Sequence, residues 1–200
     1  MGEPVIPTPA QDRTPRVRGL RLHGQILRGA AELASIDGLE QVSISRLAGE
    51  MGMSKSGLYA YFTSKQDLQL ATIECAWTVF EEHVVQPGPD GLQALVERWI
   101  FYYEREVFRG GCLFVTAGME FANREGPVHD ALAAVIGRQI ATLEDAVRSE
   151  PIDPGGAVQL GFELYALLTA ANHRFRISRD RGAFTQGRAA IARVLAQAGL

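Results

Sequence analysis

An all-α chain of about nine helices is the fold this sequence predicts, and three kinds of signal point to it. Apolar residues recur at three- and four-residue steps along most of the 200 residues. Serine, threonine and aspartate stand where helix N-caps are needed, and glycine or proline pairs punctuate the runs. A hydrophobic content of 46% supplies core for one or two compact domains and excludes a fibrous or disordered class.

Residues 1–17 hold four of the nine prolines (Pro4, Pro7, Pro9, Pro15) without periodicity, which predicts a mobile arm. Arg13, Arg16 and Arg18 could reach a minor groove from it, or could simply be solvated. The first helix is expected from Arg18 to Asp37, with Leu22, Ile26, Ala30, Leu33 and Ala34 inward and Gly38 as a left-handed stop.

Next come Ile44, Leu47, Ala48 and Met51 on one face of a short helix, capped by Ser43 and ended by Gly52. A steep crossing of two helices through a tight turn demands a small inner residue and a positive φ, which Ala48 and Gly52 meet. Ser54 caps the following helix; Leu58 and Phe62 bury one side of it and leave Lys55, Ser56, Gly57, Tyr59 and Tyr61 mostly outside. Residues 18–65 therefore read as a helix-turn-helix domain whose first partner to consider is DNA. An ordinary helical hairpin is the alternative.

Thr63 with Gln66 and Ser64 with Asp67 have capping-box spacing, so a fourth helix should run from Lys65 to Val85 and close at Pro87-Gly88-Pro89. A fifth, capped by Asp90 with Gln93 as its box partner, is expected to end at Gly110-Gly111. Cys112 to Thr116 has the composition of a short strand but is read as helix, since a lone strand has no pairing partner. Gly126-Pro127 starts a helix marked by Val128, Leu132, Val135, Ile136, Ile140, Leu143 and Val147 up to Ser149. Asp153-Pro154 starts another that runs to Ile177 with apolar residues nearly all round: Val158, Phe162, Tyr165 and Thr169 on one side, Leu160, Leu164, Leu167 and Ala171 on another. One face would serve its own core; the other needs a partner, and a second copy is the simplest. The last helix spans Ala183 to Gln197, with Phe184, Ile191, Val194 and Leu195 apolar and small Gly187 and Ala190 for close packing.

Charge is divided along the chain. The whole carries -3, but residues 1–65 hold 8 Lys+Arg and 6 Asp+Glu, whereas 66–200 hold 12 and 17. The basic end carries the motif, and its excess is small enough that binding would rest on a few placed phosphate contacts and be markedly salt-sensitive. Cys75 and Cys112 form no CxxC, the N-terminus has no apolar leader and no run approaches a membrane span, so a reduced, cytoplasmic setting is expected. His23, His83, His129 and His173 are isolated and no nucleophile, phosphate-loop or metal motif is present, so neither an enzyme nor a cofactor or metal is expected.

The run SISRLAGEMGMSKSGLYAYFTSKQDL resembles the N-terminal domain of the tetracycline-repressor (TetR) family of bacterial transcription regulators, over roughly Leu20 to Leu70. Its Leu58-Tyr59-x-Tyr61-Phe62-x-Ser64-Lys65 tail is the most characteristic part, and Gly110 to Asp130 is similar to one C-terminal domain type in that family. The resemblance implies an all-α DNA-binding domain followed by a ligand-binding and dimerisation domain over residues 66–200. It also implies a homodimer through the last two helices, a palindromic double-stranded operator and release by a small-molecule effector. Ser54, Lys55 and Ser56 open the recognition helix, with Lys55 and Ser56 the candidates for base contact. Gly57 offers no side chain; Tyr59, Tyr61 and Lys65 match phosphate-contacting positions; Ser43, Ser45 and Arg46 start the supporting helix. Trp77, Phe80, Trp99, Tyr102, Tyr103, Phe114, Phe121 and Tyr165 fall on helices that would surround a cavity suited to an apolar or aromatic ligand. The rival reading is a thiol-based redox sensor that uses Cys75 or Cys112.

Overall fold

The computed structural model describes the backbone of residues 15–86 and 91–200. The expected arm lies outside the described residues as far as position 14, as do the Pro87-Gly88-Pro89 stop and the Asp90 cap. Among the described residues there are nine α-helices and no strand: α1 (Pro15–Asp37), α2 (Ile44–Met51), α3 (Lys55–Tyr59), α4 (Lys65–Phe80), α5 (Gly91–Glu104), α6 (Leu113–Phe121), α7 (Pro127–Arg148), α8 (Pro154–Ser178) and α9 (Gly182–Gln197). A 3-10 turn, Leu39–Gln41, joins α1 to α2, and α4 runs on into a π-helical turn, Glu81–Val85.

Helix starts follow the local chemistry. The hydroxyls of Ser43, Ser54 and Ser64 accept from the N–H groups of Arg46, Gly57 and Asp67, and Asp153 accepts from Gly155 and Gly156. Pro127 and Pro154 occupy first-turn positions, where a missing N–H costs nothing. Gly52 adopts φ 63° and sends its N–H back to the Ala48 and Gly49 carbonyls, which ends α2 as the turn requires.

Three boundaries differ from expectation. Helix α1 begins at Pro15, so the backbone of Arg16 and Arg18 is helical. Helix α3 stops at Tyr59, so Phe62, read with Leu58 as its buried side, lies beyond its end. Helix α5 ends at Glu104, not at Gly110-Gly111, because the following loop folds back on α1. Glu106 turns the chain at φ 46°, Arg28 donates to the Val107 carbonyl at 3.0 Å, and the Gly110 N–H donates to Ser35 Oγ at 3.0 Å.

Helices α1 to α3 form a head around Ile26, Ala30, Leu47, Leu58 and Phe62, all essentially without exposure. Helices α4 to α9 form the body around Phe80, Trp99, Phe114, Leu143, Leu164 and Phe184. Helices α8 and α9 pack closely because Gly187 faces Ala171; a Cβ on Gly187 would stand 2.9 Å from the Ala171 methyl. Helix α8 is not buried on both sides within one chain. Leu160, Leu164, Leu168, Ala171 and Phe175 are inside, whereas Val158 and Phe162 are 59% and 68% exposed and continue into exposed Ala166 and Ala170.

A clamp ties α9 to α5. Arg188 donates from Nε and Nη2 to Glu97, and from Nη1 and Nη2 to the two Glu104 oxygens at 2.9 Å each. The Arg188 hydrogen bonds hold the Glu104 carboxyl below its usual range despite some burial. A depressed carboxylate contributes stability above its unfolded pKa and loses it as pH falls through the folded one. The melting temperature should therefore fall less between about pH 6 and about pH 3 in Arg188→Met than in the unaltered chain, a difference thermal unfolding reads directly.

Candidate functional site

The head presents α3 and the flanking turns to solvent. Ser45, Arg46, Ser54, Lys55, Ser56, Tyr59 and Lys65 are exposed, and Ser43, Gly57 and Tyr61 are half-buried. Their freedom to bind differs. Lys55 is exposed and forms no ion pair with the described residues, so its ammonium is available in full. Arg46 pairs with Asp37 and Lys65 with Glu40, whose other oxygen takes Arg124 at 2.8 Å. The Lys65 hydrogen bond is the main reason the Glu40 carboxyl sits below its usual range. A phosphate at either position would have to share a cation already in use.

Ser56 Oγ lies 3.1 Å from Ser54 Oγ, so the base-reading candidate leans on the cap of its own helix. The Gly57 N–H is consumed by that cap, and a Cβ at Gly57 would stand 3.2 Å from Ser54 Oγ. Backbone approach to DNA through that N–H is therefore not on offer. Tyr61 stacks on His23 at 5.8 Å, with Phe62 tilted beside it at 6.5 Å; the ring is fixed by packing and only its hydroxyl end is left to reach outward. Tyr59 is 59% exposed and free to swing.

Of the eight aromatics expected around a cavity, seven form one network. Phe80 meets Trp99 edge-on at 4.8 Å, Tyr102 at 5.5 Å and Phe114 at 6.5 Å; Trp77 joins Phe80, Tyr103 joins Tyr102, and Tyr165 joins Trp99. Phe121 makes no ring contact with them among the described residues and instead lies under the Arg124 guanidinium at 4.5 Å. The network has a polar seam. Trp99 donates to the Tyr103 hydroxyl at 2.8 Å, but the Tyr102 hydroxyl, Gln139 Nε2, Thr169 Oγ1 and Asn172 Oδ1 are buried without a partner. Each such atom costs about 1–3 kcal/mol, which natural interiors seldom tolerate without a reason.

Both cysteines are free thiols. Burial pushes Cys112 up to about 11, partly offset by the Val115 and Phe114 N–H groups and the Tyr103 side chain; burial also raises Cys75. Oxidation proceeds through the thiolate, so both environments suppress the chemistry a redox sensor needs.

Head and body meet through contacts that the sequence pattern did not single out. The Glu120 carboxylate on α6 accepts from the backbone N–H groups of Leu39 and Glu40 at 2.7 and 3.2 Å. Gln69 on α4, itself buried, donates to the Leu39 carbonyl at 3.0 Å. The 3-10 turn that leads into α2 is thus held from both sides by body helices. No described helix is long and apolar enough to cross a membrane, and the described residues contain no cluster of metal-ligating side chains.

The comparisons with known proteins agree with this geometry. Residues 26–72 match the model for bacterial regulatory proteins of the tetR family, and residues 88–191 match the tetracyclin repressor-like C-terminal domain. No curated protein matches. A TetR transcriptional regulator from Chloroflexus aurantiacus J-10-FL has a similar structure, with a TM-score of 0.78, 22% identity, and coverage of 90% of this chain and 97% of that one. A TetR-family regulator from Streptomyces coelicolor gives 0.75 at 21% identity, covering 95% and 98%. AibR, solved in complex with isovaleryl coenzyme A and operator DNA, gives 0.61 at 22% identity, covering 76% and 85%.

Proposed function

Because the chain belongs to the tetracycline-repressor family of transcription regulators, which are non-catalytic DNA-binding proteins, we propose that it is a homodimeric repressor released from a palindromic operator by a small ligand. The observation that carries the DNA-binding part is the exposed start of α3, held by the Gly52 turn and the Ser54 cap, with Lys55 unpaired. Lys55 reaches guanine O6/N7 or phosphate, and Ser56 approaches a base edge. Ser43, Ser45, Arg46, Tyr59, Tyr61 and Lys65 supply backbone contacts that set the register. In a gel-shift titration Lys55→Ala should weaken operator binding by roughly 1–3 kcal/mol per half-site, and Lys65→Ala by less and equally on all sequences. Equal affinity of Lys55→Ala and the unaltered chain would remove α3 from the interface.

The dimer uses the face that α8 leaves open. Val158, Phe162, Ala166 and Ala170 form a small-residue and apolar face on α8, beside which α9 packs, suited to its own copy in a four-helix arrangement. Phe162→Glu puts a charge there and should shift the protein from dimer to monomer in sedimentation, with operator affinity falling as the second half-site is lost. Unchanged sedimentation would place the dimer contact elsewhere.

Ligand sensing rests on the body. An aromatic interior with unpartnered polar atoms is a site that a bound molecule would complete, and AibR, of the same fold, was solved with isovaleryl coenzyme A and operator DNA. Ligand preference for a dimer with misplaced heads shifts the population away from DNA; a 1,000-fold loss of operator affinity needs about 4 kcal/mol of coupling, or about 2 per ligand.

A further inference from the structure

A cavity of about 360 Å³ opens where the end of α1 meets α6 and α8. Its volume is at the small end of ligand sites. Three features make it more than a surface dimple. Ile36, Met119 and Ile177, 48%, 78% and 77% exposed, ring it with apolar side chains that a water-facing surface has no use for. Asn172 lines it, is 2% exposed, and its Oδ1 has no donor. Arg176 lines it too, in a neighbourhood short of negative charge.

The charge count there is simple. Arg176 and Arg179 share one carboxylate, Glu106, through contacts of 3.2 and 3.0 Å, while Arg109 takes Glu32 at 3.6 Å. One positive charge at the mouth is left without a counter-ion. Burial, and then the Arg179 charge, lowers the Arg176 guanidinium from its ordinary value, as expected of an under-compensated cation. The cavity therefore offers a cation short of an anion and an apolar rim, over an acceptor, Asn172 Oδ1, that lies without a donor just beneath its wall.

We propose that this cavity, separate from the aromatic interior, is a second ligand site and takes a small 2-hydroxy or 2-amino carboxylate with an apolar side chain. The carboxylate lies against Arg176, the Asn172 amide turns its Oδ1 toward the cavity to accept from the hydroxyl or amino group, and the side chain covers Ile36, Met119 and Ile177. Ile36 belongs to the head and Asn172 and Arg176 to the body, so the ligand bridges the two and biases their relative placement. The assignment rests on the ligand-responsive reading above and adds a second location with its own chemistry.

Calorimetric titration of the full chain tests it, with mandelate, 2-hydroxyisocaproate, phenylalanine and leucine as probes and phenylacetate and benzyl alcohol as controls. At least one probe should bind ten-fold or more tightly than either control. Asn172→Leu, close in shape, should weaken that binding at least ten-fold, and so should Met119→Asp, which brings a like charge to the rim at an exposed position and leaves the core untouched. No binding by any probe, or binding unchanged in Met119→Asp, overturns the proposal. Operator binding, measured on the same protein, separates the two levels: a protein that binds DNA but none of the probes sinks this site alone, whereas one that binds no DNA sinks the reading beneath it.

Discussion

Gly110→Ala should cost the chain about 3 kcal/mol or more, the largest single effect expected of so small a change. A Cβ at that position would lie 1.7 Å from the Ser35 carbonyl oxygen and 2.4 Å from the Ile36 nitrogen. Both obstacles are backbone, so no side chain can rotate away to make room. The loop after α5 must then lift off α1, which also breaks the Gly110 N–H bond to Ser35 Oγ and weakens the neighbouring Arg28 bond to Val107. Denaturant unfolding measures the loss as a shift in midpoint; a change within about 0.5 kcal/mol would mean that the loop does not seat on α1 as described.

Glu120→Ala should cost roughly 2–4 kcal/mol, and it acts at the joint between head and body. It leaves the Leu39 and Glu40 N–H groups without their carboxylate, and Leu39 is completely buried. Gly38 shows how closely the carboxylate fits: a Cβ there would come within 2.8 Å of Glu120 Oε1, at a φ of 93° that already favours glycine. Glu120→Gln retains one acceptor oxygen and should recover part of the loss. If the clamp transmits the effector signal, Glu120→Ala should also still bind operator while its release by ligand is blunted. Thermal unfolding together with ligand-dependent gel shifts reads both effects, and a variant as stable and as responsive as the parent would remove Glu120 from the joint.

What the sequence made legible was local. The caps Ser43, Ser54, Ser64 and Asp153 and the starts Pro127 and Pro154 each act within one helical turn, so spacing alone reveals them. The end of α5 was misplaced because Gly110-Gly111 looks like a helix stop, whereas Gly110 is small in order to touch α1, 75 residues away in sequence. The candidate DNA-contacting residues follow the same division. Lys55 and Ser56 were found from the pattern of one short helix, but the pairing of Lys65 with Glu40 spans 25 residues and no local rule signals it. Glu120, 81 residues from the Leu39 N–H it accepts from, had no signal of its own role. The aromatics group together only through the architecture the family resemblance implies, and nothing in the sequence signals that Phe121 lies under Arg124 outside the ring network.

The central claim is sequence-specific DNA binding by a symmetric dimer through α3. Selection of bound fragments from a random double-stranded DNA pool, run in parallel with the unaltered chain and Lys55→Ala, tests it most directly. The account predicts enrichment of one palindromic or near-palindromic motif, its half-sites about one helical turn (roughly 34–36 Å) or more apart, by the unaltered chain and its loss or relaxation with Lys55→Ala. A pool that stays random, or a single asymmetric motif enriched equally by both proteins, would contradict it.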